Sequence, residues 1–363
     1  MTPPLRVLAG QLVIGGFSGA ELTPSYRAAL SKGERGGAIL FRRNLGGSLE
    51  DIVRLTRSIH DAAPPDLPPM ICVDQEGGRV TRLGSPVVRL PPMRAFGRIG
   101  DEGLVHRTAK VLGRELLALG FTMDFAPVLD VDTRAENPII GDRSFSQDPA
   151  TVLRLGVAYA TGLVASGVLA CGKHFPGHGD TTKDSHLDLP EVTRSRAELD
   201  AAELVPFRGI HRATCPAVMS AHVVYPSIDA SLPATLSRAV MHDLLRGELR
   251  YDGLAISDDL EMKAVADRFP IEESAVMAVR AGCDALLVCS NEDLTTRAYE
   301  ALVRTAEADA GFRARVEDAS ARLIEARRRH PPKPASPEGL SSILGNAESR
   351  ALASELEARG AFT

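Results

Sequence analysis

Eight short apolar runs recur along this chain, each followed by a longer segment with helical spacing, and that alternation constrains the fold more than any other feature. The runs occupy residues 11–15, 37–41, 70–74, 122–129, 167–172, 217–221, 253–257 and 284–289. Each is mostly β-branched or small residues bounded by Gly, Pro or charge, the pattern of strands buried on both faces. Between them, residues 49–59, 104–119, 151–164 and 236–249 repeat apolar positions at three and four, which predicts amphipathic helices. Strand then helix, about eight times over, predicts the α/β class: a single (β/α)8 TIM-type barrel with a C-terminal helical tail. An open doubly wound sheet is the alternative, but it usually needs fewer strands. Its Gly-rich phosphate turn is also missing, since Gly15-Gly16-Phe17-Ser18-Gly19 lacks the GxGxxG spacing.

Past Ser320 the chain changes character. Residues 321–329 read as a basic helix end, 330–337 as a breaker-rich connector with four prolines (Pro331, Pro332, Pro334, Pro337), and 341–359 as one further short helix. The expected division is a barrel over 1–329 and a Pro-rich connector with a helical tail over 330–363. With 42 Lys+Arg against 47 Asp+Glu the net charge is −5, and no basic block occurs, which argues against nucleic acid as the main partner. No stretch approaches the ~20 apolar residues of a membrane helix, so no membrane partner is expected. The apolar segment 7–17 follows a single Arg6 and is interrupted by Gln11, so it reads as a short strand rather than a signal sequence. The five cysteines are an odd number, four of them (Cys72, Cys171, Cys283, Cys289) sit inside apolar runs, and no CxxC occurs. Buried free thiols in a reducing cytoplasm are the expectation, without a disulfide framework or a thiolate zinc site. The oligomeric state is not legible.

In a barrel of this kind the chemistry sits at the C-terminal ends of the strands. Polar residues collect there in one register: Asp74-Gln75-Glu76 after the third run, Asp130-Val131-Asp132 after the fourth, Lys173-His174 after the fifth, His222 after the sixth and Asp258-Asp259 after the seventh. A single strand-end carboxylate often caps the next helix, but five strand ends in register are harder to explain that way. The densest segment is 173–186, which holds three of the nine histidines among Pro176, Gly177 and Gly179. A shaped loop at a barrel mouth carries function more often than not. Within it, Asp184 lies two residues from His186, where a carboxylate can orient the imidazole and favour its charged form; His186 is therefore a candidate general acid/base.

These same residues carry a resemblance. Lys173-His174-Phe175-Pro176-Gly177-His178-Gly179-Asp180-Thr181, followed by Asp184-Ser185-His186, resembles the signature of glycoside hydrolase family 3, in its NagZ-type β-N-acetylglucosaminidase (β-hexosaminidase) branch. The resemblance covers most of residues 5–325 and includes 36–44, 73–80, 137–145, 219–222 and 256–259 in the family's order. It implies a retaining exo-β-N-acetylglucosaminidase acting on terminal β-linked N-acetylglucosamine, with peptidoglycan-derived muropeptides as substrate and cell-wall recycling as setting. Asp258 is implied as the nucleophile of a covalent glycosyl-enzyme, and His186 with Asp184 as the acid/base dyad. That dyad departs from the usual pair of glycosidase carboxylates. By chemistry alone Asp259 rivals Asp258, and the motif favours Asp258. Asp74, Arg82, Arg143, Lys173 and His174 match the polar contacts around the sugar. No metal or other cofactor is implied, and His178 and His222 are read as loop-shaping hydrogen bonders. Asp132 stands where many relatives carry Asn, a departure that bears on a far subsite rather than on the chemistry.

Three other readings compete. A phosphorylase on the same scaffold stays open, because a His acid/base leaves the site less negative than a Glu and lets phosphate attack as water does. A metal-dependent barrel hydrolase would use His174, His178, His186 and Asp184 as ligands, at a spacing that matches no ligand motif. A non-catalytic sugar binder is disfavoured by the absence of Trp and an aromatic content of 4%, which leave few stacking platforms for long glycans.

Overall fold

The structure, a computed structural model, describes residues 3–134, 136–181, 189–331 and 337–362. Eight strands close into a parallel barrel: β1 (Val13–Gly15), β2 (Gly37–Ile39), β3 (Met70–Val73), β4 (Met123–Asp124), β5 (Leu169–Phe175), β6 (Ala217–Ser220), β7 (Leu254–Asp259) and β8 (Ala285–Val288). Each strand pairs with its sequence neighbours, and β8 closes onto β1 through Val13 opposite Leu286. The α/β (β/α)8 architecture is thus the observed one. β1 to β6 and β8 are buried throughout, and β7 is buried until Asp258-Asp259, where it opens onto the barrel rim. Strands covered on both faces have no polar face to alternate with, which is why they read as continuous apolar runs.

The fourth run is shorter than expected. Ladder pairing of β4 stops at Asp124, because Pro127 has no N–H to donate. The segment still follows the barrel wall, with Phe125 N–H donating to Val73 O at 2.9 Å and Leu129 N–H to Lys173 O at 2.6 Å. The helices Leu49–Ala62, Glu102–Ala118 and Pro149–Ser166 cover the outside and begin at side-chain caps from Ser48, Asp101 and Asp148. The helix expected over 236–249 begins only at Ala239, after Ser237 Oγ accepts from Val240 N–H at 3.3 Å. It is wound wide, as the 2.9 Å bond from Leu249 N–H to Leu244 O five residues back shows. A small antiparallel hairpin, Val224–Tyr225 with Asp229–Pro233, follows β6 and was not expected.

The tail helix expected over 341–359 is two helices, Pro337–Ile343 and Ala347–Ala358. Gly345 turns the chain at φ +58°, and the Asn346 side chain then accepts from Ser349 N–H at 3.0 Å to restart it. Both pack on Glu102–Ala118 through buried Leu340, Leu344, Leu352 and Leu356. Buried Glu115 pins this junction. Its carboxylate accepts from Val88 N–H at 2.6 Å, Ser349 O–H at 2.6 Å and Gly345 N–H at 3.2 Å, so one side chain ties the tail to the loop after β3. All five cysteines are buried free thiols, and no described helix is long and apolar enough to cross a membrane.

Candidate active site

The strand ends converge on a cavity of about 240 Å³ at the C-terminal rim of the barrel. Its polar lining includes Asp74 and Glu76 after β3, Lys173 and His174 in β5, and Asp258 and Asp259 at the end of β7. The loops add Arg82 and Arg143, and Phe41, Met219 and Met262 are among the apolar wall residues. Every described residue expected to grip the sugar is therefore in one place. Asp184 and His186, the expected acid/base dyad, fall within 182–188 and lie outside the described residues.

Five side chains form an alternating chain of charge. Arg82 Nη2 lies 3.3 Å from Asp74 Oδ2, and Lys173 Nζ lies 2.9 Å from Asp74 Oδ1 and 2.6 Å from Glu76 Oε1. Arg143 closes the row with a bidentate grip on Glu76, 2.8 Å from Nε and 2.7 Å from Nη2. Three cations against two carboxylates leave one positive charge over on this wall. Burial alone would push the Glu76 carboxyl up, but Arg143 and Lys173 outweigh it and hold the group well below the usual carboxylate range. Against the cost of burial, Asp74 and Glu76 in turn push the Lys173 ammonium up, so it stays charged.

A second row stands behind the lining. Asp130, completely buried, accepts from His174 N–H at 3.1 Å and His178 N–H at 2.6 Å, and its Oδ2 lies 2.7 Å from His174 Nδ1. Burial opposes its ionisation, but the charge and hydrogen bonds of the two histidines lower its pKa. An ionised carboxylate can only accept, so His174 Nδ1 carries the hydrogen that points at Asp130. Burial and the neighbouring His174 push the His178 imidazole down to about 4, and its Nδ1 lies 2.8 Å from Thr181 Oγ1. His222 Nε2 lies 2.9 Å from the carbonyl oxygen of Asp259, which fixes the backbone carrying the two aspartates. His178 thus braces the loop after β5 while also lining the cavity, and His222 braces the end of β7 rather than a loop.

The two adjacent aspartates differ in kind. Burial opposes ionisation of Asp258, but His222, His174, the Asp259 N–H at 2.8 Å and Lys173 together lower its pKa. Burial pushes Asp259 up to about 7, with Glu261 and Asp258 adding to the effect, while its Oδ1 accepts from Glu261 N–H and Cys289 N–H, each at 3.1 Å. Of the two cavity-lining aspartates, Asp258 is the one favoured in its ionised form, while Asp259 is held closer to its protonated form and braced by backbone.

The loop after β5 is fitted tightly. Asn137 Nδ2 donates to the carbonyls of His178 and Gly179, each at 2.9 Å. A Cβ on Gly179 would stand 1.6 Å from Val131 O. Sequence reasoning missed the roles of Glu76 and Asp130, although both belong to the strand-end register that pointed to the site. Asp132, from the same register, faces away and pairs with Arg94. Among the described residues no three His, Cys, Asp or Glu side chains are grouped to hold a metal ion.

Comparison with known proteins agrees with this fold. Residues 5–326 match the glycosyl hydrolase family 3 N terminal domain. A beta-hexosaminidase of Alkalilimnicola ehrlichii is 41% identical over 293 residues, covering 79% of this chain and 82% of its own. One from Thiobacillus denitrificans is 44% identical over 283 residues, covering 76% and 77%. Among solved structures, a family 3 beta-N-acetylglucosaminidase from a Paenibacillus strain superposes with a TM-score of 0.92 at 39% identity, over 99% of this chain and 69% of that one. Native NagZ from Neisseria gonorrhoeae gives 0.82 at 35% identity, over 97% and 98%. With a family match over nearly the whole barrel and the strand-end carboxylates gathered in one cavity, this chain belongs to glycosyl hydrolase family 3 and is a glycoside hydrolase.

Proposed function

We propose that the protein is a retaining exo-β-N-acetylglucosaminidase that removes terminal β-linked N-acetylglucosamine from muropeptide fragments of peptidoglycan, in cytoplasmic cell-wall recycling. The observation that carries the reading is Asp258: an ionised carboxylate at the end of β7, opposite a cationic wall, in a cavity of about 240 Å³. That volume lies below the usual range for pockets holding larger ligands, which suits one sugar ring and exo action. Relatives named beta-hexosaminidase, and a NagZ structure in complex with N-trifluoroacetyl-D-glucosamine, support the acetamido sugar.

In this reading Asp258 attacks the anomeric carbon while His186, oriented by Asp184, protonates the departing oxygen. A water deprotonated by His186 then releases the sugar from Asp258 with its anomeric configuration retained. Asp74, Arg82, Arg143, Lys173 and His174 hold the ring. The catalytic unit is the barrel over 1–329, with 330–363 as an appended tail. The test is p-nitrophenol release from the β-N-acetylglucosaminide beside the β-glucoside, with EDTA throughout and phosphate added or omitted. Turnover of the acetamido sugar alone supports the proposal, and sugar 1-phosphate in the phosphate arm makes the enzyme a phosphorylase instead. Asp258→Asn should lower kcat by at least about a thousandfold while sugar binding persists; a variant that keeps its turnover removes Asp258 from the mechanism.

A further inference from the structure

A second, larger concavity lies beside the sugar cavity. A groove of about 830 Å³ runs between the loop after β3, the helix Met93–Ile99 and the C-terminal tail. It shares a wall with the catalytic cavity. Phe41 lines the cavity and Arg42 the groove; Val80 and Arg82 face the cavity, while Gly78 and Thr81 face the groove. The two concavities lie on either side of this loop.

The groove is strongly cationic. Five arginines line it against one acidic residue, Asp142, which already pairs with Arg79 at 3.4 Å. Arg94 is neutralised by Asp132. Arg42, Arg89 and Arg350 have no carboxylate partner among the described residues. Arg42 donates through Nε and Nη2 to Thr81 O, Arg89 lies 4.4 Å from the centre of the Phe362 ring, and Arg350 donates to Gly345 O. Three exposed guanidiniums from distant sequence positions thus line one groove, where each can accept an anionic partner. Other surface arginines, such as Arg107 with Glu355 and Arg297 with Glu272, do have an acid within reach.

We infer that the groove receives the carboxylate-bearing peptide of the substrate's leaving group, with Arg42, Arg89 and Arg350 as its anchors. This rests on the proposed function, because it takes the sugar cavity as the origin of the ligand. Two of the three anchors depend on the tail: Arg350 belongs to it and Arg89 is braced by Phe362. The tail is therefore a wall of the substrate site.

The experiment compares four substrates: the p-nitrophenyl β-N-acetylglucosaminide, neutral diacetylchitobiose, an N-acetylglucosaminyl-muramoyl tripeptide with free carboxylates, and the same compound with its carboxylates amidated. The variant is R89Q/R350Q, which leaves Arg42 in place because it also holds Thr81. The free-carboxylate substrate should lose roughly two- to thirtyfold in kcat/KM, mostly through KM, as expected for two exposed charge pairs. The other three substrates should stay within about twofold, and added KCl should weaken only the free-carboxylate substrate. Equal handling of the amidated and free forms overturns the inference, as does an equal loss on diacetylchitobiose. A free acidic tripeptide that binds the wild type while the linked peptide gains nothing also overturns it, since the groove then serves a separate ligand. If no acetamido sugar is turned over, the activity reading fails by itself. Calorimetric binding of the free-carboxylate compound to wild type and variant then decides the groove, with equal affinities counting against it.

Discussion

Replacing Glu76 by Gln tests the charge row most directly. The change keeps size and shape but removes the charge between two buried cations. Gln also turns an NH2 group toward Arg143 or Lys173, both of which only donate, so at least one of the 2.6–2.8 Å contacts becomes a donor facing a donor. Glu76 is 2% exposed, and removing one partner of such a buried pair costs about 3–5 kcal/mol. An unfolding entropy of about 2.1 cal/mol/K per residue gives roughly 0.8 kcal/mol/K for a chain of 363 residues, so Tm should fall by about 4–6 °C. Asp142→Asn is the control. Its pair with Arg79 at 3.4 Å is half exposed on both sides and is worth under about 1 kcal/mol, or roughly 1 °C. The pH dependence has a definite sign. The Glu76 pKa is depressed in the folded state, so its contribution is complete above the unfolded value near 4.3 and fades as pH falls below that. Calorimetry should therefore show the same gap between wild type and Glu76→Gln at pH 7 and 5.5, narrowing below about pH 4. With p-nitrophenyl β-N-acetylglucosaminide, KM should rise as Lys173 and Arg143 lose their common anchor. A Tm within about 1 °C of wild type at pH 7 would refute the reasoning.

Two further substitutions probe the same neighbourhood. Burial pushes the Asp124 carboxyl up to about 7, and its Oδ2 has no hydrogen-bond partner. Its folded pKa is raised, so its stabilising effect is complete below about pH 4 and is lost as pH rises through 7. Asp124→Asn should thus gain Tm over wild type at pH 8.5 and little at pH 4.5, and a pH-independent difference would sink the argument. Gly179→Ala should cost about 3 kcal/mol or more and depress kcat, because the new methyl meets Val131 O. Gly84→Ala, where nothing lies within 4 Å of the added methyl, should be close to neutral in the same denaturation assay.

The barrel was legible because a parallel strand covered on both faces leaves an uninterrupted apolar signature, and eight of these stood in order. The errors are local and have local causes. Pro127 ends β4 early, Ser237 delays a helix, and the Gly345-Asn346 pair breaks the tail helix where stop and start signals were overlooked. For the site, the strand-end register located Asp74, Lys173, His174 and Asp258 at once. It could not rank Glu76, Asp130 and Asp132, because a carboxylate at a strand end looks the same in sequence whether it faces the cavity, braces a histidine or pairs with Arg94. The arginine groove was invisible for a different reason: Arg42, Arg89 and Arg350 belong to three distant segments that only the closed fold brings together.

Glu115 has a consequence beyond stability. One carboxylate holds the tail at Gly345 and Ser349 and the β3 loop at Val88, while the cavity is lined from the barrel strands and their loops. Val88 stands on the same loop as Val80 and Arg82, so a change in the tail at Gly345 or Ser349 is passed to the rim of the cavity through this one carboxylate. The last residues of the barrel's appendage are in this sense a brace for the loop that borders the cavity.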